Sequence, residues 1–117
     1  MQYALLIYND EANAPERWDA ARREALFAEY AKMRADMVAQ GVFLAAQRLA
    51  PTDAATTVHV RNGEALVTDG PFAETKEALG GFYLIECADL DAALAWARRI
   101  PSARQGRIEV RPVFGSA

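Results

Sequence analysis

Cys87 is the chain's single cysteine, so no internal disulfide can form and a zinc site built of several cysteines is excluded. It ends the apolar run Phe82 to Cys87 with no histidine or basic residue near it in sequence, so it reads as a small buried hydrophobe rather than a reactive thiol. Histidine is equally scarce, with His59 alone. No apolar run approaches the roughly 20 residues of a membrane span. Met1-Gln-Tyr opens without the basic start of a secretory leader, and the expected location is cytoplasmic. Basic residues are in deficit: 13 Lys and Arg stand against 16 Asp and Glu, for a net charge of -3. The basic residues are also scattered, which argues against a nucleic-acid partner. Gly70, Gly80 and Gly81 have the wrong spacing and context for a nucleotide loop, so no cofactor is expected.

What is present suits one globular domain of 117 residues, 52% hydrophobic and 25% charged. Tyr3 to Tyr8 is a short apolar run and reads as a buried strand. Pro15 suits a first helical turn, and Trp18, Leu26, Tyr30, Met33 and Met37 then recur at helical spacing as far as Gly41. Val42 to Leu49 reads as a second strand. Asn62-Gly63 between Thr56–Arg61 and Glu64–Asp69 is a type I′ hairpin signal. A two-residue loop sets the register, pairing Arg61 with Glu64, Val58 with Val67 and Thr56 with Asp69. Val58, Val60, Ala65, Val67 and Asp69 then share one face, expected to look inward. Leu79 to Cys87 is another strand. A helix capped by Asp89 or Asp91 follows, with Leu90, Ala93, Leu94, Ala97 and Ile100 as its stripe. Arg107 to Val113 closes the chain as a final strand.

This order predicts an α+β fold: a ferredoxin-like split βαβ antiparallel sheet, two helices on one face, and an inserted β-hairpin. Tyr3–Tyr8 and Phe82–Ile85 are apolar at consecutive positions, which calls for cover on both faces of the sheet. A second copy provides that cover through a two-fold interface, so a homodimer is expected; the alternative is the hairpin folded over its own sheet.

Chemistry concentrates in Asp69-Gly-Pro-Phe-Ala-Glu-Thr-Lys-Glu77. Three readings of it compete. In the first, Asp69 accepts hydrogen bonds from backbone N–H groups past Gly70, Phe72 fills the core, and Glu74, Lys76 and Glu77 are solvated. In the second, a desolvated Asp69 is the acid or base, Lys76 steadies an enolate or carboxylate, and Thr75 donates a hydrogen bond. In the third, the segment belongs to a non-catalytic ligand-binding or regulatory module. Tyr8 and Arg48, at the ends of the first two strands, are candidates to reach a ligand, alongside Phe72, Glu74 and Thr75. Arg48 would bind a carboxylate or pair with an acid such as Asp69. Asp10-Glu11 is a polar connection rather than a metal site, and no metal is expected.

The nine-residue motif, followed by Leu79-Gly-Gly-Phe-Tyr, strongly resembles the DGPF branch of the YCII-related proteins. The likeness extends to Leu5-Leu6-Ile7-Tyr8, Thr57-Val58, Ile100-Pro101 and Glu109-Val110-Arg111-Pro112. The resemblance implies a ferredoxin-like fold and a dimeric α+β barrel. It implies little about activity. The wider group looks like enzymes with a histidine–aspartate pair whose histidine lies in the first helix, but no residue from Pro15 to Gln40 is histidine here. His59 sits on the hairpin and reads as a cross-strand or solvated residue. Genes of DGPF-type proteins often neighbour those of extracytoplasmic-function sigma factors, which implies a regulatory partner. Two expectations follow. One is a small polar or anionic ligand near Asp69, with cofactor-independent acid/base chemistry on a small carbonyl or carboxylate compound if the chain is an enzyme. The other is a sigma-factor-linked accessory module.

Overall fold

Two amphipathic helices pack against one face of a four-stranded antiparallel sheet in a computed structural model that describes residues 1–116. The elements run β1 (Gln2–Asp10), α1 (Ala20–Ala39), β2 (Phe43–Arg48), β3 (Thr56–Arg61), β4 (Glu64–Asp69), β5 (Glu77–Glu86), α2 (Leu90–Arg99) and β6 (Arg107–Pro112). Sheet order is β2-β5-β1-β6, with β3 and β4 forming a separate two-stranded sheet. With that hairpin set aside, the order is the ferredoxin-like one.

Alternation along β1 explains the layering. Tyr3, Leu5 and Ile7 are buried and meet Met33 and Met37 of α1 and Ala93, Trp96 and Ala97 of α2 in one core. Leu6 points the other way, beside its antiparallel partner Phe82, with Leu84 two residues further along β5. These three are only half-buried, because no helix covers that face. Trp96 belongs to the core although the stripe read from sequence omitted it, and Leu90 at the start of α2 is exposed.

The first helix starts later than Pro15 suggests. Two 3-10 turns, Glu11–Asn13 and Pro15–Arg17, fill the gap, and α1 begins only after Asp19. The Asp19 carboxylate accepts the Arg22 N–H at 2.9 Å, and this N-cap outweighs the proline signal. Trp18 therefore precedes the helix, and its indole N–H donates to the Asn13 carbonyl at 3.1 Å.

The hairpin has the register expected from Asn62-Gly63, with φ of 52° and 79° at the two turn residues. Its valine row does not look inward within the chain. Val58, Val60 and Val67 are 61–66% exposed, because β3 and β4 pair only with each other. Nor does the hairpin fold over the sheet. The result is a slab of 47 × 42 × 18 Å.

Candidate functional site

Where β1 leaves the sheet, the long lead-in to α1 holds open a cleft of roughly 1040 Å³. Ile7, Gly81 and Tyr83 of the sheet form its floor; Leu26, Phe27 and Tyr30 of α1 form one wall, and Trp18 lies before them. Arg48 from the end of β2, and Arg17 and Arg34, bring positive charge to it. Glu11 ties the segment down. Its carboxylate accepts the Thr52 N–H and the Thr52 hydroxyl, both at 2.8 Å, and so joins the connection after β1 to the one after β2.

Tyr30 and Tyr83 stack in parallel, with centroids 6.5 Å apart and planes at 2°, and the Tyr30 hydroxyl shares a 2.6 Å hydrogen bond with the Ser102 hydroxyl. Burial pushes both phenols up; for Tyr83 the value reaches about 12, with proximity to Tyr30 adding to the effect. A phenol raised by folding gives its full stabilisation below its unfolded value of 10.0, and that stabilisation is lost as pH climbs towards 12. Tyrosinate absorbance should therefore show a late ionisation whose latest part is lost in Tyr83→Phe. Amplitude lost instead from the ordinary range near 10, with the late ionisation kept, would show that Tyr83 ionises normally.

Arg48 pairs with Glu16, not with Asp69. The Glu16 carboxyl is held below the usual glutamate range, first by its own backbone N–H and then by Arg48. Both side chains are 56% exposed, so the pair contributes only about 0–1 kcal/mol, and an incoming anion can compete for the guanidinium.

The motif residues lie outside this cleft in the single chain. Asp69, Phe72, Glu74, Thr75 and Lys76 are all exposed, Phe72 to 90%. Phe72 thus fills no part of the chain's own core. Among the described residues the Asp69 carboxylate accepts no hydrogen bond. The corner is held instead at Gly70, whose N–H donates to the Ala55 carbonyl at 2.7 Å and whose carbonyl accepts the Thr57 hydroxyl at 2.8 Å. Thr75 donates to the Glu77 carbonyl at 2.6 Å. The loop still ends at the cleft's rim, since Glu77 pairs across the sheet with Asp10, and Asp10 and Ala78 line the cleft. Tyr8 lies on the helix-free side, in a shallow hollow with Glu77, Arg107 and Glu109.

The wall contributed by α1 and its lead-in was not found from sequence. The available signal was the length of the connection from Glu11 to Asp19, longer than the about 2–6 residues usual between strand and helix. Asp10 is engaged locally, capping the Ala12 N–H at 3.0 Å, and Glu11 is taken up by Thr52. Among the described residues no three of His, Cys, Asp and Glu gather as a metal site, and no helix is long and apolar enough to cross a membrane.

An open-faced ferredoxin-like domain with a charged, aromatic-walled cleft is thus the class that fold and site define. Residues 1–116 match the YCII-related domain. The chain is also 44% identical over 115 residues to an uncharacterized protein of Rhizobium meliloti (strain 1021), covering 97% of this chain and 92% of that one. The chain belongs to the YCII-related family.

Proposed function

We propose that this protein, of the family's DGPF branch, binds a small metabolite with a carboxylate or other anionic group, acting as a homodimer. The carrying observation is the Arg48 guanidinium set against the aromatic walls of the cleft. A ligand anion would take the place of Glu16 on Arg48, while Trp18, Phe27 and Tyr30 would enclose its apolar part. Leu6, Phe82 and Leu84 on the helix-free face support the dimer, because a second copy would remove them from water.

In the enzymatic form of this reading the loop Gly70–Lys76 folds over the cleft mouth and no cofactor takes part. Asp69 then moves the proton, Lys76 steadies the developing enolate or carboxylate, and Phe72 and Glu74 close the rim. A second reading, favoured by the exposure of Phe72, makes the loop a contact for a protein partner linked to an extracytoplasmic-function sigma factor.

A thermal-shift screen of small carboxylates and carbonyl compounds on wild type, Arg48→Ala and Asp69→Asn tests this. A ligand at 100 times its dissociation constant adds about 2.7 kcal/mol to wild type. Arg48→Ala should lose most of that shift. Asp69→Asn should keep binding and lose turnover. If no compound shifts the wild type, the cleft reading fails and the protein-partner reading stands.

A further inference from the structure

We infer that the hairpin Thr56–Asp69 is an arm that clasps a second copy of this chain, laying its row of Val58, Val60 and Val67 on the partner. The inference rests on the homodimer proposed above and adds a contact that the sheet face does not supply. A two-stranded hairpin without a packed face is marginal in water. Here every residue of β4 is exposed, and only Thr57 of β3 is half-buried. Three valines on one face, each 61–66% exposed, are a packing surface without its cover.

The dimensions of the chain point to what covers it. A compact monomer of 12.8 kDa exposes about 6,300 Å². This chain exposes 7967 Å², a surplus of about 1,700 Å². Covering that surplus on each of two chains would bury about 3,300 Å², inside the range of roughly 2,000–5,000 Å² seen in obligate homodimers. Its radius of gyration of 16.2 Å likewise exceeds the about 13 Å of a compact chain this long. The arm leaves from the end of the sheet where β2 finishes and β5 begins, so it adds contact area beyond the four strands themselves. Two-fold symmetry gives each copy one arm on its partner, and a closed pair satisfies both rows.

Sedimentation velocity over a wide concentration range tests the arm, on wild type and on Val58→Asp/Val67→Asp. Beyond each other across the hairpin these side chains are largely exposed, so circular dichroism should stay native while dimer dissociation shifts to concentrations at least about 100-fold higher. Should the aspartates unfold the chain, Val58→Thr/Val67→Thr decides by the same measurement, with about a 10-fold weakening expected. A wild-type dimer that neither pair weakens overturns the arm and leaves the dimer in place. A wild type that stays monomeric throughout overturns both, and would pass the valine row to a different protein partner.

Discussion

Gly106→Ala is expected to lower stability by about 3 kcal/mol or more, a fall in melting temperature on the order of 12 °C for a chain this long. A Cβ at this position would collide with the Tyr8 carbonyl oxygen and lie 2.7 Å from the Asn9 side-chain oxygen. The first of these obstacles is backbone, so no rotamer change relieves it. Gly106 also sits where the turn after α2 returns to the sheet, its N–H donating to the Ser102 carbonyl at 2.8 Å just before Arg107 pairs with Tyr8. Pushing β6 outwards would break that register and disturb Asn9, Asp10 and Gln105 at the cleft rim. Thermal melting checks the result, and a variant within a degree or two of wild type would mean that the start of β6 yields freely.

Leu5→Ala should cost about 3 kcal/mol, read as a lower midpoint in urea at unchanged slope. Leu5 is fully buried at the centre of β1, between β5 and β6 and under both helices, where neighbouring atoms cannot collapse into the space left. Leu90→Ala removes the same atoms from a side chain that is 48% exposed and should cost below about 1 kcal/mol. Equal costs at the two sites would contradict the layering described above.

Legibility in the sequence followed the range of the forces involved. Asn62-Gly63 carries its turn geometry locally, so the hairpin and its register could be read from two residues. Period-two and apolar runs placed the sheet strands to within two residues at each end. The start of α1 was misjudged because Pro15 and Asp19 both signal a helical beginning, and only the capping bond to Arg22 separates them. Trp96 escaped notice because its burial depends on α2 lying across the sheet, a tertiary fact. The site divided in the same way. Arg48 was legible as a charge ending an apolar strand, but its partner Glu16 stands 32 residues away in the chain. Asp69 was placed on the valine face correctly. Which way that face looks is decided by what it packs against, and nothing in the local pattern encodes that.

Both margins of the four-stranded sheet are poor templates for adding a further strand. At one margin β6 alternates Arg107, Glu109 and Arg111 and ends in Pro112, which has no N–H to offer. At the other, β2 is only six residues long and its register shifts between Phe43 and Ala45. Lateral growth into a ribbon of sheets is therefore discouraged at either side, despite the apolar content of the strands. A two-fold pairing through the broad surfaces would instead use up its own contact area. The charges along β6 and the short, shifted β2 thus turn strand addition away from both sides of the four-stranded sheet, whatever the apolar content inside it.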